Sequence, residues 1–182
     1  MFARRHLTAV LCGAAILGCD EEVSNPITAP APNFASANTP VAKVTGHAAV
    51  PIGTTVIDRY SFVAIQRADG SFDGEFQWKR EFLLTGVTLT SHGDIVCFLI
   101  TGNRVRLAAR LERSEFATFN PATGNVYADW DVEDNGEGSN DPDDRGSFVF
   151  GPEPEATARL NCAAGFNNQR VPSGQGNIQI HN

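Results

Sequence analysis

"RYSFVAIQRADGSFDGEFQW", residues 59–78, alternates apolar and polar side chains on both sides of a short turn-forming stretch. Before the turn, Tyr60, Phe62, Ala64 and Gln66 fall on one face of an extended chain; Ser61, Val63, Ile65 and Arg67 fall on the other. A strand alternates with this period of two, whereas a helix would group one face every three to four residues. The middle portion, ADGSFDG (68–74), supplies the Gly, Asp and Ser that reverse a chain. The stretch therefore reads as two strands joined by a turn.

The pattern recurs downstream. EFQWKREFLL (75–84), NVYADWDVE (125–133), GSFVF (146–150) and GNIQI (176–180) read as strands. GVTLTSHGDIVCFLITGNRVRLAARLE (86–112) reads as several more, with turns expected at His92-Gly93 and Gly102-Asn103. RSEFATFN (113–120) is the one stretch with a helical reading, and it is short. About eight short strands with tight turns predict an all-β fold, a single antiparallel barrel or sandwich. It would occupy residues 43–182, near the usual size of one domain.

The start of the chain has a different character. Arg4 and Arg5 precede an apolar run from Leu7 to Leu17, which as a helix would span about 16 Å against a bilayer core of about 30 Å. This is the layout of an export signal. The run ends in Ile16-Leu17-Gly18-Cys19, which resembles the lipobox of bacterial lipoproteins, with Ile in place of the commoner Leu at its first position. The resemblance implies cleavage after Gly18, diacylation of the Cys19 sulfur, and attachment to the extracytoplasmic side of the cell envelope, in the periplasm or at the surface. Two or more acyl chains anchor a protein stably where one is marginal. Residues 1–18 would then be a lipoprotein signal peptide. Residues 19–42, rich in Pro, Ala, Ser and Asn, would be a lipidated tether reaching on the order of 25–30 Å as a coil.

Loss of Arg4 and Arg5 with the signal takes the net charge from −7 to −9, which argues against nucleic acid as a partner. Cys12 leaves with the signal and Cys19 takes the lipid, so Cys97 and Cys162 remain as one pair. In an oxidising compartment they read as a disulfide. Strand 95–100 supports that pairing, because it is apolar on both faces. If Val96, Phe98 and Ile100 join the core, Ile95, Cys97 and Leu99 face outward and need a cover. The segment after GPEPE, with Leu160, Cys162 and Phe166, is the cover a Cys97–Cys162 bond would pin there.

Residues 129–145, DWDVEDNGEGSNDPDDR, hold eight of the chain's 21 acidic residues. Pairing strands 104–112 and 125–133 with Leu111 opposite Val126 sets Arg106 against Asp131, Arg104 against Glu133 and Arg110 against Tyr127. The first two would be cross-strand charge pairs on a solvent-facing surface, and Arg110 would lie diagonal to Asp129. Beyond them, Asp134, Asn135, Glu137, Asp141 and Asp143 offer the oxygen ligands that calcium takes. An EF-hand register counted from Asp131 fails at its twelfth position, which is Pro142. An ordinary solvated connection fits Gly136, Gly138 and Pro142 equally well.

RYSFVAIQRADGSFDGEFQW, VEDNGEGSNDPDD, FVFGP and the closing GNIQIH together resemble a widespread family of bacterial extracytoplasmic β-domains. DNGEG and GNIQIH are the most specific parts of a likeness that runs over residues 43–182. It implies a self-contained unit that recurs in lipoproteins and larger secreted proteins. It carries over no catalytic residue.

Enzyme chemistry has little footing. The chain has no G-x-S-x-G, H-E-x-x-H or P-loop, and Ser91, His92 and Asp94 lie too close along the chain for a triad. Glu75 and Glu81 are carboxylates on strands, better explained as surface polar positions. His47, His92 and His181 have no metal-ligand spacing. Phe76, Trp78, Arg80 and Phe82 share one face, where the aromatics suit core packing or, alternatively, a carbohydrate platform or cavity lining. The sequence thus predicts a non-enzymatic, lipid-anchored envelope protein without a cofactor, whose β-domain binds an envelope protein or glycan or supports assembly. The main alternative is a small-ligand barrel, lipocalin- or avidin-like in shape; a calcium-stabilised module and a hydrolase rank behind it. A core cavity above about 300 Å³ would favour the carrier, and a filled core the binding module.

Overall fold

The hairpin at residues 59–78 sits at the centre of a larger antiparallel meander. The computed structural model describes residues 38–137, 143–165 and 174–181. Its strands are β1 (Pro40–Ile52), β2 (Val56–Arg67), β3 (Phe72–Phe82), β4 (Val87–Thr101), β5 (Arg104–Ser114), β6 (Asn125–Glu133), β7 (Asp144–Gly146), β8 (Phe150–Pro154) and β9 (Gly174–His181), with one helix, α1 (Glu155–Ala164). β1 to β6 pair in sequence order, β6 pairs onward with β7, β7 with β9, and β9 with β1, so the sheet closes in a ring. β8 pairs with the first half of β6, beside the ring. The expected all-β antiparallel fold is therefore present.

The period-two pattern sorts side chains as it should. Tyr60, Phe62 and Ala64 point inward and are buried, while Ser61 and Val63 are exposed. Rings fill the interior. Phe76 stacks on Trp130 and Trp78 on Phe116, each pair with centroids 4.0 Å apart, and Phe72 meets Phe98 edge-on at 5.3 Å. Such pairs add roughly 0.5–1.5 kcal/mol each beyond the area they bury. Among the described residues, the buried Trp130 Nε1 has no hydrogen-bond partner, which costs stability.

Several elements differ from the sequence reading, each for a physical reason. β1 begins at Pro40, three residues before the expected start of the domain, and its Ala, Gly and Pro content hides the alternation. His92-Gly93 is not a turn but a register shift inside β4. A Cβ on Gly93 would lie 2.2 Å from the Arg110 carbonyl oxygen, so glycine there permits close approach by β5 rather than chain reversal. A second shift between Ile95 and Cys97 swaps the faces, so Ile95 enters the core while Val96 and Cys97 pack outside. Residues 113–120 are not helical; the helix is α1, in the segment expected to cover β4. GSFVF is not one strand either, since Ser147 to Val149 leave the sheet between β7 and β8.

That excursion turns into the core. Tyr60 donates to the Ser147 carbonyl oxygen at 3.0 Å, and Val149 is buried in the core. Gly146 makes room for it, because a Cβ there would sit 1.9 Å from the Tyr60 hydroxyl. Burial and the nearby Asp58 and Asp131 carboxylates raise the Tyr60 pKa well above its ordinary value, which keeps the phenol a donor.

Candidate functional site

The aromatic stripe is core and not a platform. Phe76 and Trp78 are each 1% exposed, and Phe82 is half-buried where β3 ends. Arg80 shares their inward face and meets Asp58 of β2, which is fully buried. The guanidinium grips both carboxylate oxygens (Nε–Oδ1 2.6 Å, Nη2–Oδ2 2.7 Å), and Trp78 Nε1 and the Val149 amide donate to the same carboxylate at 3.1 Å each. Arg80 also lies 4.9 Å from the Trp78 ring centroid. The sequence reading missed this pair, although the signal was present. Asp58 and Arg80 are opposite charges on the apolar faces of neighbouring strands.

The β5–β6 register is as expected: Arg106 opposes Asp131, Arg104 opposes Glu133 and Arg110 opposes Tyr127. The solvent-facing placement of the Arg106–Asp131 pair is overturned. Arg106 is 1% exposed and Asp131 not at all, joined by bonds of 2.7 and 2.9 Å. α1 lies over them: Arg106 donates to the Asn161 carbonyl oxygen, and the Asn161 side chain donates to Asp129 at 2.5 Å. The sheet face reads as charged and therefore wet, but a helix with its own polar groups covers it. The Cys97–Cys162 disulfide ties α1 to β4, with Cα atoms 6.3 Å apart.

The rest of the acidic stretch clasps the edge of β9. β7 pairs only with its first residues, Gly174 to Gly176, and beyond them carboxylates take over the role of a strand. Asp144 accepts from the Ile178 amide at 2.6 Å and from the Asn135 amide at 2.7 Å. Asp134 accepts from the Ile180 amide at 2.9 Å and the Gly136 amide at 3.0 Å. Asp143 receives the Gln175 side chain and Glu137 the Gln179 side chain. The segments DNGEG and GNIQIH thus touch each other directly. Among the described residues no group of three or more His, Cys, Asp or Glu is arranged to hold a metal ion, and Asp141 lies outside them.

This clasp makes a prediction. Asp144 is 6% exposed and holds two backbone amides, and hydrogen bonds to charged groups contribute about 1.5–3 kcal/mol each. Asp144→Ala should lower the unfolding free energy by about 2–4 kcal/mol in urea titration, with no change in melting temperature on adding calcium or chelator to the parent protein. A calcium-dependent rise in the parent would return the loop to the cation sites.

A large groove lies on the outside. With a volume of about 720 Å³, it crosses the outer face of β9, β1, β2, β3 and β4, lined by His47, Arg59, Ser61, Gln77, Lys79 and His92 among others. One row of directly opposed residues runs His47, Ser61, Gln77, His92, and the next runs Ala49, Arg59, Lys79, Thr90. Tyr60 and Trp78 border the groove but turn their rings inward, 4% and 1% exposed. His47 and His92 stand three strand spacings apart, about 14 Å, too far to share one metal ion. Ser91 is buried and bonded to the Ser114 hydroxyl at 2.7 Å, on the face opposite His92, which removes any catalytic grouping of the two.

The chain has no significant match among protein-family models, curated proteins or solved structures. Cys19 lies outside the described residues. Among those residues, no helix is long and apolar enough to cross a membrane.

Proposed function

We propose that this chain is a lipid-anchored cell-envelope protein whose β-domain is a binding module that works with its outer face. The observation that favours this over a carrier is the distribution of space. The rings of Phe76, Trp78, Phe116 and Trp130 occupy the interior, the segment from Ser147 to Val149 turns into the core, and the large groove lies outside. A lipocalin- or avidin-like carrier needs the reverse, an open apolar interior. The lipobox resemblance of Ile16-Leu17-Gly18-Cys19 supports the anchor, and the cysteine pairing supports an oxidising compartment.

Both halves are testable. Cys19→Ser should leave a protein that no longer partitions with membranes after high-salt washing, whereas the parent does. Membrane retention of the variant would overturn the anchor. A fluorescent fatty-acid probe should show no saturable binding to the domain, and stoichiometric uptake would restore the carrier reading.

A further inference from the structure

We infer that the outer groove is a binding site for an anionic glycan, a sugar polymer bearing carboxylate or phosphate groups. The inference rests on the binding-module reading and adds the site and its ligand class. Three observations carry it.

The first is charge. The chain has 21 acidic against 14 basic residues, yet Arg59 and Lys79 line the groove and no Asp or Glu does, the carboxylates of Glu81, Glu115 and Asp143 reaching lining residues only from its rim. The second is their placement. Arg59 and Lys79 are directly opposed across β2 and β3, with side chains 50% and 52% exposed. Like charges in that position destabilise a sheet. Here one carboxylate, Glu81, bridges both, at 3.2 Å from Arg59 and 3.8 Å from Lys79, so one positive charge stays uncompensated. Two half-exposed cations at an open site, sharing one carboxylate, are what an anion requires; an arginine fork matches carboxylate and phosphate oxygens.

The third observation is the rest of the lining. Ser61 and Gln77 supply a hydroxyl and an amide, and His47 and His92 supply imidazoles, the partners sugar hydroxyls take, while Thr90 and Gln175 line the groove with side chains that already donate to Glu115 and Asp143. The aromatic faces that hold neutral sugars are absent from this surface, because Tyr60 and Trp78 point inward. Charge and hydrogen bonds must therefore do the recognising. Four strand spacings from β9 to β4 make the groove about 19 Å across, an extended site suited to a polymer rather than a single ion.

The test is direct binding by calorimetry to four probes: oligogalacturonate, poly(glycerol phosphate), neutral dextran and inorganic polyphosphate. Binding to either or both of the first two, with none to dextran, supports the proposal, and their ratio tells carboxylate from phosphate. Arg59→Gln with Lys79→Gln should weaken that binding at least tenfold while leaving the melting temperature within two or so degrees. Arg110→Gln with Arg159→Gln removes as much charge beside α1 and should leave affinity within twofold. Polyphosphate binding as tight as the glycans would reduce the site to a generic polyanion patch and overturn the glycan assignment. Undiminished binding in the Arg59/Lys79 variant would move the site elsewhere on the domain, leaving the module reading intact. No binding to any probe would overturn the ligand class, while the anchor stands or falls separately on Cys19→Ser.

Discussion

Asp58→Ala is expected to lower the unfolding free energy by about 3–5 kcal/mol, the cost of stripping one partner from a buried ion pair. Asp58 has no exposed surface and is the acceptor for four hydrogen bonds, from Trp78, Val149 and twice from Arg80. Its removal orphans an indole N–H, a buried amide and a guanidinium that lies 4.9 Å from the Trp78 and 5.5 Å from the Phe116 ring centroid. Arg80 keeps some contact with water, its side chain 21% exposed, which favours the lower half of the range. The pair also fastens the segment between β7 and β8, because Val149 both donates to Asp58 and accepts from Arg80. Asp58→Leu combined with Arg80→Met should therefore be less destabilised than Asp58→Ala alone, since no charge is then left unpaired. The exposed Arg59–Glu81 pair is the control, and Glu81→Gln should change stability by no more than about 1 kcal/mol. Urea unfolding followed by tryptophan fluorescence reads all of these. A loss under about 1 kcal/mol for Asp58→Ala would mean that the network is not formed in solution.

The same pair shows why some features could be read from sequence and others could not. Alternation identified the strands around residues 59–84 and 104–133, because each has one face in the core and its period is local information. The β5–β6 register also followed, since complementary charges and the apolar set agreed on one alignment. Depth did not follow. The face of Arg106 and Asp131 is charged and so reads as water-facing, and only α1, a distant segment, makes that face interior. The acidic stretch failed in the same way. Asp134 and Asp144 look like free carboxylates until β9, more than thirty residues on, brings its amides to them. The groove was invisible for a related reason: His47, Ser61, Gln77 and His92 come from four strands and become neighbours only through registers that no single segment specifies.

α1 itself is the element least able to hold its own position, and the largest effect of one covalent bond is expected there. It spans ten residues, buries only Ala158 and Cys162, and starts at Pro154 without a side-chain cap. Isolated helices shorter than about 12–15 residues are marginal in water. What α1 covers is costly to expose: the buried Arg106–Asp131 pair and the apolar cluster of Ala108 and Tyr127, with Val96 and Val126 packed against it. The Cys97–Cys162 bond, across a sequence separation of 65, closes a loop whose lost entropy in the unfolded chain amounts to roughly 4 kcal/mol. Replacing both cysteines by serine should therefore lower the unfolding free energy by about that much, and adding reductant to the parent should reproduce the loss. Hydrogen exchange should rise first in α1 and in the β5–β6 strands beneath it, while β1 to β3, joined by long ladders, stay protected. Mass spectrometry of the unreduced, alkylated protein should find neither Cys97 nor Cys162 labelled. Two labelled thiols in fully folded protein, or a serine variant as stable as the parent, would mean that packing alone seats the helix.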